Sequence, residues 1–326
     1  IAQSPAFPRD AARLLVYDRA EQTTVLDTFR NLQRYLPSKS VLVLNQTKVI
    51  PARLLCTKET GGKVQVFYVG HDKRVLQALC DRKLSIGARV RFDARHTFTV
   101  VDYANGKYSL EPSFPLRQVM RLFERHGRTP IPPYIKHSPL SERLLRSQYQ
   151  TIFAKNKGSV AAPTASLHFT PRLLASLKRA GHSVLFVTLH VGLGTFASVT
   201  DEHLIAGTLH EECFEIDSKN ARALMIAKKQ GRPIVAVGTT VARTLESAAD
   251  KHGVLRRLRG TTDIFIRDSY TWKFVDSLIT NFHVPKSSLM MLVATLVGRV
   301  RLLSLYRFAI NNKMRFFSFG DGMLIR

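Results

Sequence analysis

Cysteine is scarce in this chain: Cys56, Cys80 and Cys213 are the only three in 326 residues, and no two stand in a CxxC pair. That spacing disfavours a disulfide-framed domain and a zinc knuckle, and it fits a reducing cytoplasm. Acidic residues are also in deficit, with 24 Asp and Glu against 49 Lys and Arg, for a formal net charge of +25. The longest apolar run, residues 289–298, falls well short of the roughly 20 residues that span a bilayer. No secretory leader is read at the start, and Ile1 stands where an initiator Met is expected, so the numbering is taken to begin inside a longer chain. A Walker A loop, a GxGxxG turn opening a helix, an HExxH pair, internal repeats and low-complexity tracts are all missing, which disfavours a P-loop enzyme, a Rossmann dinucleotide site and a zinc protease.

The positive charge is spread along the whole chain rather than gathered in a tail. A structured domain with a broad cationic face suits a polyanion, and nucleic acid is the natural one.

Length makes two domains the default. Residues 57–110 read as short strands with turn signals, and Thr97-Phe-Thr-Val-Val-Asp-Tyr103 meets Lys107-Tyr-Ser-Leu110 across Ala104-Asn105-Gly106, a hairpin in which Asn-Gly supplies positive φ. The remainder alternates strand and helix. Val41-Leu-Val-Leu44, Val184-Leu-Phe-Val187, Ile234-Val-Ala-Val237 and Asp263-Ile-Phe-Ile266 suit buried, largely parallel strands. Thr170 caps a helix with Pro171 first and Gly181 as its stop, and a second helix is expected over residues 220–230. The expected fold is α/β: a body of residues 1–56 and 129–326 with a small antiparallel, barrel-like domain of residues 57–128 inserted into it.

Four clusters place small residues beside a titratable or cationic one. They are Val160-Ala-Ala-Pro-Thr-Ala-Ser-Leu-His-Phe169, Thr188-Leu-His-Val-Gly-Leu-Gly-Thr-Phe196, Val237-Gly-Thr-Thr-Val-Ala-Arg-Thr-Leu-Glu-Ser247 and Thr280-Asn-Phe-His-Val-Pro285. A pocket needs this composition where backbone amides must approach a ligand while one side chain does chemistry. Gly192 and Gly194 belong to a turn at a strand's C-terminal end, where ligands sit in α/β sheets. Gly238, Thr239 and Thr240 start a helix whose free N–H groups suit an anion, with Arg243 placed to clamp it. The blander alternative makes Thr239 or Thr240 an ordinary cap and pairs Arg243 with Glu246 along the helix. His168, His190 and His283 are the histidines inside the clusters, and histidine is the commonest acid or base near neutral pH. His210-Glu-Glu-Cys213 lacks the spacing of a metal site and reads as surface polarity.

Leu44-Asn-Gln-Thr-Lys-Val-Ile-Pro-Ala-Arg-Leu54, Pro130-Ile-Pro-Pro-Tyr-Ile135, Tyr149-Gln-Thr-Ile152, the four clusters and Arg315-Phe-Phe-Ser-Phe-Gly-Asp321, in that order, resemble the S-adenosylmethionine:tRNA ribosyltransferase-isomerases of queuosine synthesis. The likeness covers nearly the whole chain. It implies an α/β body with an inserted β-barrel, S-adenosylmethionine as ribosyl donor, a tRNA partner bearing 7-aminomethyl-7-deazaguanine at the wobble position, and release of adenine and methionine to give epoxyqueuosine. Neither metal nor redox cofactor is implied. On that footing His168, His190, His283 and Asp321 are the catalytic candidates. Gly192, Gly194, Thr195, Phe196, Gly238, Thr239, Thr240, Arg243, Glu246 and Asn281 are the candidate cradle for the donor, and Asn45, Lys48, Arg53 and Tyr134 the tRNA contacts. The chain departs from the family pattern at Gln46, Lys48, Ser166 (usually Gly), Val241-Ala242, Asp268-Ser269 (usually Pro-Gly) and Gly322 (usually Ala). Strain is expected at Ser166 if its backbone needs positive φ. Two other readings compete, a non-catalytic tRNA-binding descendant and an S-adenosylmethionine-dependent tRNA methyltransferase; the cluster residues argue against the first and the missing glycine loop against the second.

Overall fold

The computed structural model describes residues 1–72, 74–192 and 199–326. They form two compact units, one of residues 1–48, 132–141 and 148–326 and one of residues 49–131 and 142–147. The boundary expected after Cys56 would cut the strand Arg53–Lys58 in half. That strand is hydrogen-bonded into the smaller unit along most of its length, so the seam lies earlier, between Lys48 and Val49.

In the larger unit, nine strands among the described residues make one sheet. Its order runs Arg259–Ile264, Thr208–Glu215, Ser183–Leu189, Val41–Asn45, Ile234–Val237, Ser277–Asn281, Gly322–Ile325, Arg13–Tyr17 and Thr24–Thr28. Only the four central strands, from Ser183–Leu189 to Ser277–Asn281, form a continuous parallel block. The flanks are mainly antiparallel, so the sheet is mixed where a largely parallel one was expected. Asp263-Ile-Phe-Ile266 also differs from expectation: it overlaps Arg259–Ile264, an antiparallel edge strand with most residues exposed.

The central strands are apolar on both faces, and their alternation divides the core. Val41, Val43, Ile234 and Ala236 pack on one side with the helices Ser218–Lys229, Thr239–Ala248, Ser288–Val297 and Arg299–Asn311. Leu42, Leu44, Val235 and Val237 pack on the other with the short helix Phe29–Arg34 and the helix Pro171–Arg179. Thr170 caps that last helix by accepting the Leu173 N–H, with Pro171 at its first position. The apolar run near residue 290 is the helix Ser288–Val297, and no single described helix is long and apolar enough to cross a membrane.

The smaller unit is a closed antiparallel barrel of six strands, in the order Lys107–Pro112, Val75–Cys80, Lys63–Asp72, Arg53–Lys58, Arg89–Arg91 and Thr97–Ala104. Asn105 and Gly106 hold φ of 52° and 74° in the expected hairpin turn. Closure removes the exposed edges that would otherwise template pairing with another chain. The helix Leu116–His126 follows it, burying Val119, Leu122 and Phe123.

Candidate active site

Parallel strands end on the same side of a sheet, and the segments leaving those ends build one cleft in the larger unit. Ala162 to Ala165, Val191, Gly238 to Thr240, Thr280 to Val284, Leu289, Phe317, Ser318 and Tyr134 line it. Its empty space, open solvent included, amounts to ≈ 630 Å³. Each of the four small-residue clusters contributes to this wall.

Gly238 joins the strand Ile234–Val237 to the helix Thr239–Ala248 and is the helix's N-cap. Its φ of +97° is one a side chain would resist. The cap is therefore Gly238, not Thr239 or Thr240. Those two threonines occupy the first helical positions, where an α-helix provides no internal acceptor for the N–H.

Asn281 ends the neighbouring strand and is 2% exposed. Its Nδ2 lies 3.3 Å from the carbonyls of both Phe317 and Asp321 and 3.4 Å from His168 Nε2. Two carbonyl partners fix which end of the amide is nitrogen. Its Oδ1 is then a buried acceptor with no hydrogen-bond partner among the described residues. Asn281 borders the cleft, and a buried acceptor left without a partner is costly.

The three histidines differ in placement. His283 lines the cleft, with its ring Nε2 2.8 Å from Thr280 Oγ1 and its backbone N–H donated to Tyr306 Oη, and burial pushes its pKa down to about 4. It is neutral near pH 7. His168 sits behind the wall, stacked 4.1 Å from Phe29, and lines a smaller hollow with Arg9 and Ser318. Burial, reinforced by the positive charge of Arg315, drives its pKa down to about 3. His190 is held by Thr47 Oγ1 at 2.8 Å from Nδ1, and its pKa is lowered by burial. It packs so closely on Gly158 that a Cβ there would stand 2.9 Å from the ring.

Several expected site residues have internal partners instead. Arg243 is 4% exposed and forms an ion pair with Glu212, whose other oxygen accepts the Gly192 N–H at 3.0 Å. Neither the carboxylate clamp nor the Arg243–Glu246 pairing describes it. Glu246 is fully buried and accepts N–H groups from Lys273, Phe274 and Val275 and the Tyr270 hydroxyl, so it fastens a loop to its helix. Asp321 is 1% exposed and accepts the backbone N–H groups of Arg13 and Arg315 while pairing with the Arg315 guanidinium. Asn45 is wholly buried; it accepts N–H groups from Thr47 and Leu189 and donates to Leu189 O, which leaves nothing for RNA. Arg53 donates to Ile131 O and lies over the Phe67 ring. Lys48 is half-buried on the short strand Thr47–Val49. Tyr134 reaches the cleft, with its hydroxyl 2.6 Å from Ser318 Oγ. Gly194, Thr195 and Phe196 lie outside the described residues.

Sequence reasoning missed Glu212, read as surface polarity yet 5% exposed, and it missed Phe317 and Ser318 on the cleft wall. The alternation of the strand Thr208–Glu215, which buries Glu212 and Phe214 among exposed neighbours, was the available signal for the first. At the departures from the family pattern, Ser166 lies in the short 3₁₀ helix Thr164–His168 and has no positive φ. The left-handed residue is Ser269, at φ 67°.

A family model described as "Queuosine biosynthesis protein" matches residues 1–325. An S-adenosylmethionine:tRNA ribosyltransferase-isomerase of Carboxydothermus hydrogenoformans is 43% identical over 337 residues, covering 100% of this chain and 96% of the relative. One of Moorella thermoacetica is 43% identical over 332 residues with the same coverage. A crystal structure described as S-adenosylmethionine tRNA ribosyltransferase from Thermotoga maritima is 32% identical with a TM-score of 0.54, covering 100% of this chain and 96% of that one.

Proposed function

Since the chain belongs to the queuosine biosynthesis protein family, we propose that it is an S-adenosylmethionine:tRNA ribosyltransferase-isomerase whose catalytic site is the cleft of the larger unit. The observation that carries this reading is the meeting of Gly238, Thr239, Thr240, Asn281 and His283 on one wall. The helix start offers N–H groups and a positive dipole end to the donor's carboxylate. Asn281 Oδ1 accepts from a donor hydroxyl or amino group, which replaces the partner it lacks.

In the proposed reaction the substrate is 7-aminomethyl-7-deazaguanine at the tRNA wobble position. The sulfonium acidifies the donor's 5′ carbon, a base takes that proton, and adenine departs from the ribose. The departed adenine takes up a proton to become the free base; the substrate's amine, unprotonated, bonds to the ribosyl carbon and gives up a proton, methionine leaves with the electron pair of its C–S bond, and ring rearrangement gives the epoxide of epoxyqueuosine. His283 is the group placed to take or return the proton: it borders the cleft, is neutral at physiological pH, and is oriented by Thr280. His168 acts one layer back, through Asn281. Lys48 and Tyr134 are retained as tRNA contacts, and the reaction is assigned to the cytoplasm, where tRNA resides.

The test is a single-turnover assay with labelled S-adenosylmethionine and precursor tRNA, reading free adenine and methionine. His283→Gln is expected to slow product formation by about 10² to 10⁴ with both substrates still bound. Wild-type protein that releases a methylated tRNA and intact S-adenosylhomocysteine in place of adenine would overturn the proposal.

A further inference from the structure

The helix Leu116–His126 of the barrel unit carries Arg117, Arg121 and Arg125 at successive four-residue steps, opposite the buried Val119, Leu122 and Phe123. Residues four apart lie on one face of a helix, rising about 6 Å each time. The three side chains therefore form a stripe, and Arg128 follows two residues after the helix end. All four are exposed, and none of their side chains makes a hydrogen bond or ion pair among the described residues. Acidic groups are few nearby. Glu124 is the single acid of the helix, and Glu142 is committed to Thr129, accepting from both its N–H and its hydroxyl at 2.7 Å. Arg146 adds further positive charge at the C-terminal end, donating to the carbonyls of Glu124 and Gly127.

Like charges at four-residue spacing destabilise a helix unless something neutralises them. Three unpaired guanidiniums on one rigid face, spaced like successive phosphates along a strand, are suited to a nucleic acid backbone, which Arg engages through bidentate forks. We propose that this arginine stripe binds the sugar–phosphate backbone of the tRNA substrate, holding the RNA by position and not by sequence. The proposal rests on the assignment of tRNA as substrate and names where on the chain it is gripped.

The variant Arg117→Gln/Arg121→Gln/Arg125→Gln keeps good helix formers at exposed positions. Its control is Lys219→Gln/Arg222→Gln/Lys229→Gln on the exposed face of the helix Ser218–Lys229, which removes equal charge elsewhere. Binding of precursor tRNA is followed by fluorescence anisotropy over a salt series, and S-adenosylmethionine binding by calorimetry. The stripe variant is expected to raise the tRNA Kd at least about ten-fold and to reduce the log–log salt slope by about two. The control should shift Kd less than about three-fold, and donor affinity should not change in either. Arg121→Gln alone, a single exposed change, should raise Kd about three-fold. A wild-type Kd and slope in the stripe variant, or an equal loss in the control, would overturn the proposal. Adenine release separates this result from the activity: a misplaced stripe leaves release and its tRNA dependence intact, whereas a wrong activity leaves tRNA binding stripe-dependent with no adenine formed.

Discussion

Glu212 holds Arg243 with one carboxylate oxygen and the Gly192 amide with the other, so a buried ion pair ties the helix behind the cleft to the segment that follows His190. The guanidinium's Nε and Nη2 have no hydrogen-bond partner among the described residues, which leaves Glu212 as its principal compensation. Breaking a buried pair from one side strands a charge. Arg243→Ala and Glu212→Gln are each expected to lower unfolding free energy by about 3 to 5 kcal/mol. Replacing both partners, as Arg243→Met/Glu212→Leu, should cost much less. Urea titration of the four proteins checks this, and near-additive single losses in the double variant would show that the two side chains do not act as a pair.

Stability should fall on the acid side because of the clustered histidines. The pKa values of His168 and His283 are depressed by burial to about 3 and about 4, and that of His190 is lowered as well. Unfolded, each titrates near 6.5. The unfolded chain thus binds more protons than the native one below about pH 6.5, and the stability that neutral histidines contribute above that pH is lost progressively as pH falls toward 4. Denaturation midpoints measured from pH 7.5 to pH 4.5 should decline, and His168→Gln should flatten the decline. A midpoint independent of pH over that window would contradict the burial assigned to these rings.

Gly322 has no room for the Ala that the family pattern carries. A Cβ there would stand 2.9 Å from Phe29 Cζ and 2.9 Å from the Thr280 carbonyl, and Phe29 is the ring stacked on His168. Gly322→Ala is expected to destabilise by about 1 to 3 kcal/mol, with partial recovery in Phe29→Leu/Gly322→Ala. Calorimetric melting of the set would show whether ring and glycine are coupled.

Ser269 holds φ 67° one residue before Tyr270, which donates to Glu246. Ser269→Gly removes the left-handed strain at the expense of chain entropy, for a net gain of about 0.5 kcal/mol. A higher urea midpoint at unchanged slope is the expected sign.

Legibility followed the range of the physics. Val41-Leu-Val-Leu44 and Ile234-Val-Ala-Val237 were readable as buried strands because double-sided burial requires a continuous apolar run. The Asn105-Gly106 turn and the Thr170–Pro171 start were readable because positive φ and capping restrict which residues fit. The helix opening at Gly238 and its convergence with Asn281 and His283 followed from small residues placed at strand ends. Partnerships were not readable. Nothing local distinguishes an Arg243 aimed at a ligand from one aimed at Glu212, 31 positions earlier, or tells that Glu246 serves a loop 27 to 29 positions later. The sense of the outer strands was hidden for the same reason, since it depends on which distant segment pairs with them.

The strand Gly322–Ile325 lies between Ser277–Asn281 and Arg13–Tyr17, with Leu14 registered on Gly322 and Asn281 on the same glycine. During synthesis the barrel's strands, all drawn from one short stretch of chain, have their partners soon after they emerge. The strand Arg13–Tyr17 finds Thr24–Thr28 at once on one side, but on its other side it waits for Gly322–Ile325. Until then its apolar edge is bare, and the ribosome carries a half-built sheet that invites the wrong neighbour. A nascent chain that has not yet reached residue 322 has no strand beside Asn281.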